Sequence, residues 1–454
     1  MLGGIINNQM KTTISVMACL LFPFLGMTQN KQQDWHLKSK DTDKIYGTGV
    51  IKAYAELLKG KTPKTVVVAV LDGGIDTLHE DLRANLWRNV NEKPGQIDVD
   101  GNGYKGDVLG WNFLGGETGQ VTKASLEQQR VYFKYKSQFE NVKNEGDIKR
   151  KDLQHYKDWL LSKHYISKRD TVAPIDYRGK EVHDDYANIK DRFYGNSNLM
   201  GDPYFHGTHV GGIIGAVRGN GKGMDGIADA VKLMGIRAVP DGDEYDKDVA
   251  LGIRYAVDNG AQIINMSFGK KLSPERKMVE DAILYAEKKG VLLINAAGNE
   301  SVDVDSLIHY PSPFYIKGNK KYPNMITVGA SGQTEDKLIA PFSNYGAHTV
   351  DVFAPGVNIY ATYPPENKYM ALSGTSMATP VVAGIAALIK SYYPQLTAKQ
   401  LKYIIEQSVT KIDFPVTKPA SKGQKVAMTR LCKTGGIVNA YAALKMADEM
   451  TKAN

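Results

Sequence analysis

The chain has 454 residues with 42% apolar content, enough for one large α/β domain or two ordinary ones that fold without covalent staples. A formal net charge of +8 is modest for that length, and the lysines are spread along the chain rather than gathered into a stripe with interleaved aromatics, which argues against nucleic acid as a partner. The cysteines are Cys19 and Cys432, and Cys19 sits in an apolar run expected to be removed, so a disulfide framework is excluded and Cys432 reads as a buried free thiol.

At the N-terminus, Lys11 precedes the apolar stretch Ile14 to Leu25, and Gly26 and Thr28 supply small residues for cleavage near Gln29. This pattern reads as a signal peptide over residues 1–28, with translation starting at Met10, where a charge precedes the apolar run. Val16-Met17-Ala18-Cys19 resembles a lipoprotein site only faintly, because the apolar run continues past the cysteine. Every apolar segment is shorter than the roughly 18 residues that mark a membrane span. The expected destination is therefore periplasmic, cell-surface or extracellular.

Residues 29–64 read as a segment packed on the main domain. Ile51, Tyr54, Ala55 and Leu58 lie at helical spacing, which predicts a helix over Tyr46 to Leu58 with these residues on its apolar face. Too little chain lies between Gln29 and Val66 for a separate folding prodomain, since single cores usually fail below about 40 residues without staples. Residues 65–450 read as one α/β domain. Thr65 to Leu71 is a run of apolar and β-branched residues without alternation, the pattern of a strand buried on both faces of a parallel sheet. Similar runs at Leu233 to Val239, Gln262 to Met266, Val291 to Ala296, Ile326 to Ala330 and Val350 to Ala354 alternate with helical patterns at Lys247 to Asn259 and Pro274 to Lys289. The rhythm predicts a mostly parallel sheet flanked by helices in three layers. Further apolar helices are expected from about His206 and from Ser376 to Tyr392, the latter stopped by Pro394. Thr397 with Gln400 predicts a capping box. The stretch from Gly115 to Met200 breaks the rhythm, being rich in Lys, Glu, Gln and Tyr. It reads as a mainly helical insertion, either a solvated decoration or a separate binding domain.

Acyl transfer from a peptide needs a nucleophile, a base, a group that fixes the base's tautomer, and donors aimed at the developing oxyanion. Asp72 ends the first buried strand in VAVLDGGID, His206 opens the helix HGTHVGGIIG, and Ser376 opens the last long helix in GTSMATPVVAG. Singly these are a turn Asp, a helix-start His and an N-cap Ser. Together, each beside glycines that permit close approach, they form a catalytic constellation. HxxH at His206 and His209 lacks the Glu of a zinc motif, so His209 reads as structural. Asn265 and Asn299 head glycosylation sequons, yet both lie where the proposed chemistry requires bare side chains.

The three segments VAVLDGGID, HGTHVGG and SGTSMATP resemble the signature blocks of subtilisin-type serine proteases, in the Asp, His, Ser order of that family. INMSFG, INAAGN, FSNYG and VFAPG extend the likeness across Val66 to Ala443, outside that insertion and a short one near Ser312 to Lys320. The resemblance implies a serine endopeptidase acting on proteins or peptides through an acyl-enzyme, with no cofactor for the chemistry. It gives Asp72, His206 and Ser376 the triad roles and Asn299 that of side-chain oxyanion donor, with the Ser376 N–H as its partner. It makes Ser267, Phe268 and Gly269 pair with the substrate backbone. Ala296, Ala297 and Gly298 then floor the pocket for the residue before the cut, where small residues suggest a roomy, mainly apolar site. Gly212 stands where the family usually has Ala, and Val381-Val382 replaces the usual His-Val. A peptide ligase on the same scaffold and a non-catalytic secreted binding protein are the alternatives. Finally, Asp98, Asp100, Asn102 and Asp107 resemble a calcium loop, although Leu109 stands where an EF-hand has Glu, and a plain Asx-rich turn reads equally well.

Overall fold

The computed structural model describes residues 33–117, 119–166 and 172–452. The expected signal peptide and its cleavage point lie outside these residues. The described chain opens with a short 3-10 turn at Trp35–Leu37, then α1 (Lys40–Asp43), α2 (Val50–Glu56), β1 (Val66–Asp72) and β2 (Gly110–Asn112). Next come α3 (Glu127–Phe139), α4 (Leu153–Tyr165), α5 (Tyr177–Glu181) and α6 (Tyr204–Gly215). There follow β3 (Val231–Arg237), α7 (Asp246–Asp258), β4 (Ile263–Met266), α8 (Arg276–Lys288), β5 (Leu292–Ala296), β6 (Met325–Ser331) and β7 (Val352–Pro355). A hairpin of Ile359–Tyr363 and Lys368–Leu372 leads to α9 (Thr375–Tyr392), α10 (Ala398–Gln407) and α11 (Ala440–Lys452).

Strands β1 to β7 pair in parallel, in the order β7, β6, β5, β4, β1, β3, β2. Gly436–Ile437 continues beside β7, and Thr410–Lys411 closes that edge antiparallel. The expected mostly parallel α/β architecture is thus what the chain adopts. The unbroken apolar run of β1 has its explanation in the layers. Val66, Val68 and Val70 face a core shared with α6 and α9, while Ala69 and Leu71 face a second core against α7 and α8. Both faces are dry, so every position must be apolar. Helix α9 is buried along almost its whole length, which accounts for its all-round apolar sequence. Thr397 and Gln400 form the expected capping box at the start of α10.

Two local expectations differ. Helix α2 starts at Val50 rather than Tyr46, after Gly49 adopts φ +72°. Its buried face is therefore Val50 and Ala53, with Leu58 buried just beyond, while Ile51 and Ala55 are exposed. The Tyr54 hydroxyl donates to the Ile227 carbonyl at 3.1 Å. The charge-rich 115–200 stretch is also less solvated than its composition suggests. Val131, Tyr135, Phe139, Tyr156 and Trp159 of α3 and α4 share a small core with Leu272. Glu127 pairs with Lys270 at 2.6 Å and Asp158 with Arg276 at 2.5 Å, binding these helices to the segment after β4. Lys270 is itself buried and also meets Asp246 at 2.8 Å.

Candidate active site

Asp72 is the last residue of β1, at the carboxyl end of the parallel sheet, where crevices form between diverging connections. It is 1% exposed, and its Oδ1 accepts the Gly73 N–H at 2.7 Å. His206 lies in the first turn of α6, and its Nδ1 meets the same Asp72 Oδ1 at 2.7 Å. The approach depends on glycine. Gly74 has φ +122°, and a Cβ on Gly207 would lie 2.0 Å from the Gly74 carbonyl oxygen and 3.1 Å from Asp72 Cβ. Asp72 Oδ2 is buried without a hydrogen-bond partner, so the carboxylate is held by Oδ1 alone. Burial pulls the His206 pKa down, but the Asp72 charge and hydrogen bond outweigh it and leave the imidazole above its usual 6.5.

Ser376 is the second residue of α9, where free N–H groups and the helix dipole favour negative charge. Its hydroxyl donates to the Ser267 carbonyl at 3.1 Å. The Ser267 hydroxyl donates back to the Ser376 carbonyl at 2.9 Å and accepts from Asn265 Nδ2 at 2.9 Å, so the two segments are clamped together. Asn265 is fully buried, out of reach of glycosylation. Asn299 is oriented by Thr375, whose backbone N–H and hydroxyl donate to its Oδ1 at 2.8 and 3.0 Å. That leaves the amide nitrogen free of these two contacts. A methyl on Gly374 would sit 3.5 Å from Ser376 N and 3.7 Å from Asn299 Nδ2, so these two donors border a common space.

Thr375 and Asn344 are residues around the candidate site that sequence reasoning missed. Asn344 Oδ1 accepts from Glu300 N at 3.1 Å and Val302 N at 2.9 Å, and its Nδ2 donates to the Ala297 carbonyl at 2.9 Å. It thereby shapes the loop that carries Asn299. The FSNYG block was the available signal, but the likeness it carries does not say which side chain organises a distant loop.

Ser267, Phe268 and Gly269 leave β4, and Ala296, Ala297 and Gly298 leave β5, its parallel neighbour. The side chains of Phe268 and Ala297 belong to separate buried clusters, so these segments offer mainly backbone to the cleft between them. That cleft is not the roomy apolar site expected. The imidazole of His309 lies in it, within 2.0 Å of where a Gly269 Cβ would be and 2.9 Å of the corresponding point on Gly298.

His209 is fully buried, with Nε2 2.9 Å from the Met370 carbonyl, and burial pulls its pKa down to about 3, so it is structural as expected. Cys432 is a buried free thiol. Gly212 also has a local cause, because a Cβ there would fall 2.2 Å from Thr362 Oγ1 on the hairpin.

In the acidic loop, Asp98 accepts the N–H groups of Gly101, Asn102 and Gly103 at 2.8 to 3.1 Å. Among the described residues, Glu92, Asp98 and Asp100 bring ligand oxygens within 4.8 Å of one another. Asp107 is not in that group. It is fully buried and accepts from Tyr255 Oη, Asn89 Nδ2 and Asn102 Nδ2 at 2.7, 2.9 and 3.0 Å. Asn102 turns its amide nitrogen to the carboxylates, and its Oδ1 accepts the Tyr104 N–H at 2.8 Å. The carboxylate group that the fold gathers is therefore Glu92, Asp98 and Asp100, whose oxygens also accept hydrogen bonds from Lys93 N, Val99 N and the loop amides, with Asp107 outside it.

Residues 63–430 match the Subtilase family. The chain is 37% identical over 227 residues to the Thermostable alkaline protease of Halalkalibacterium halodurans, covering 49% of this chain and 58% of that protein. It is 38% identical over 247 residues to Subtilisin BL of Lederbergia lenta, covering 53% of this chain and 83% of the relative. Among solved structures, a protease of Pseudoalteromonas arctica superposes with a TM-score of 0.55 at 22% identity, covering 92% of this chain and 98% of the other, a likeness of fold. With its sheet, its Asp, His and Ser blocks and a family match over most of its length, the chain belongs to the subtilase family of serine peptidases.

Proposed function

We propose that this chain is an exported endopeptidase that cleaves proteins or peptides with Ser376 as nucleophile, His206 as general base and Asp72 as the group fixing the imidazole tautomer. The observation that carries this reading is the Asp72–His206 hydrogen bond of 2.7 Å. It leaves Nε2 as the basic nitrogen, on the same sheet edge as the amino end of α9. In the resting arrangement the Ser376 hydroxyl is held by Ser267, and catalysis requires it to turn to His206, a tightening that bound substrate commonly brings about. Ser376 Oγ then attacks the scissile carbonyl carbon while its proton passes to His206 Nε2. The carbonyl π electrons move to oxygen, where the Ser376 N–H and the Asn299 amide donate to the charge. Collapse expels the amine, which takes the proton from His206, and leaves an ester on Ser376. Water repeats the sequence through the same base and releases the acid.

Ser376→Ala is expected to abolish turnover, and a serine-directed phosphonate is expected to label Ser376; hydrolysis at the parent rate by Ser376→Ala ends the assignment. Export rests on the N-terminal pattern, and none of the described helices is long and apolar enough to cross a membrane. The Glu92, Asp98 and Asp100 carboxylates are hard oxygen donors of the kind calcium takes, and they would hold it as a structural ion outside the chemistry.

A further inference from the structure

Gly269 and Gly298 face one another across the gap between the two segments leaving β4 and β5. The His309 ring fills that gap, with Cε1 and Nδ1 lying 2.0 and 2.7 Å from the point a Gly269 Cβ would occupy and Nε2 lying 2.9 Å from the equivalent point on Gly298. Nδ1 is buried without a hydrogen-bond partner. The ring is held there by backbone on both sides. Tyr310 and Lys270 exchange N–H···O bonds of 2.9 and 3.0 Å in an antiparallel bridge, which fixes the backbone of His309 along this segment while its ring lies against Gly269. Beyond it, Asn295 Nδ2 donates to the Pro311 carbonyl at 3.2 Å. Lys270 is anchored in turn by Glu127 and Asp246, so the ladder that carries His309 rests on a buried ion network rather than on a free loop. The Glu300 carboxylate, bonded to Asn344 Nδ2 at 2.5 Å, lies 2.7 Å from the same Gly298 point and makes that wall anionic.

We infer that His309 closes the bottom of the pocket for the residue before the scissile bond, so that this chain cleaves after short, uncharged side chains. The inference rests on the proposed peptidase reading and names its substrate class. A large aromatic side chain entering between Gly269 and Gly298 meets the imidazole before it is buried, while alanine or serine stops short of it. An acidic side chain meets the Glu300 charge. Burial, opposed in part by Glu300, keeps the His309 pKa below its usual range, so the ring offers no compensating positive charge.

The test compares kcat/KM on peptide anilides that differ only in alanine or phenylalanine before the cut. The parent chain is expected to favour alanine. In His309→Gly the phenylalanine-to-alanine ratio is expected to rise at least about tenfold, as pocket-filling changes of this size do. His309→Ala should move the ratio the same way. A parent chain that favours phenylalanine tenfold, or a ratio unmoved in both variants, overturns the inference. A binding arm separates the pocket from the chemistry. In the Ser376→Ala background, acetylated tetrapeptides ending in alanine or phenylalanine carboxylate are titrated by calorimetry, with and without His309→Gly. A switch in relative affinity without turnover by the parent would sustain the pocket and sink the peptidase reading. No switch sinks the pocket, whatever the turnover.

Discussion

Gly207→Ala tests whether the catalytic geometry depends on backbone contact between α6 and the loop after β1. The new methyl would lie 2.0 Å from the Gly74 carbonyl oxygen. Carbon and oxygen need about 3.3 Å, so one side must retreat by roughly 1.3 Å. Gly74 has little room to move, because its own Cβ point is already 2.3 Å from the Leu199 carbonyl. The first turn of α6 therefore gives way and carries His206 off. The 2.7 Å bond to Asp72 is then lost. A displacement of about 1 Å in a reacting group costs about a hundredfold in rate, or about 2.7 kcal/mol of transition-state stabilisation. Overpacking should cost about 1–3 kcal/mol of stability besides. The assay is kcat/KM against pH, with the melting temperature measured in parallel. In the parent the rate needs neutral His206, whose pKa lies above 6.5, so the rising limb should be centred above pH 6.5. Asp72→Asn removes both raising influences and leaves the lowering effect of burial, which should move the limb below pH 6.5. Gly207→Ala should move it the same way. Activity within threefold of the parent with an unmoved limb would refute the reasoning.

Other outcomes follow from the same contacts. Gly212→Ala should destabilise the chain by about 1–3 kcal/mol through its clash with Thr362 Oγ1, and adding Thr362→Ala should recover part of the loss; strictly additive melting shifts would exclude the contact as the cause. Trp35 is fully buried and its Nε1 donates to the Val357 and Asn358 carbonyls at 3.2 and 3.3 Å, so Trp35→Ala should cost about 3–5 kcal/mol in a denaturant titration. The active enzyme is accordingly expected to keep this segment, and N-terminal sequencing that finds a start beyond Tyr46 disproves its structural role. Added Ca²⁺ should raise the melting temperature and Asp100→Ala should abolish the rise, whereas identical melting in calcium and chelator rejects a structural ion.

What could be read from the sequence alone was whatever is encoded by neighbours along the chain. The unbroken apolar run of β1 announced a strand covered on both faces, the apolar length of α9 announced a central helix, and Thr397 with Gln400 announced a capping box. The blocks around Asp72, His206 and Ser376 were legible for the same reason, since glycines that permit a close approach sit beside the residues that make it. What only the tertiary structure decided involves partners far apart in sequence. Thr375 orients Asn299, Asn344 shapes the loop around it, and Glu92 rather than Asp107 lies with Asp98 and Asp100, because these choices depend on which distant groups the fold brings together. The cleft shows this most clearly. The small residues of the two segments suggested an open pocket, but the register of Tyr310 on Lys270 delivers an imidazole into it, and no local pattern around His309 encodes which glycine it will face.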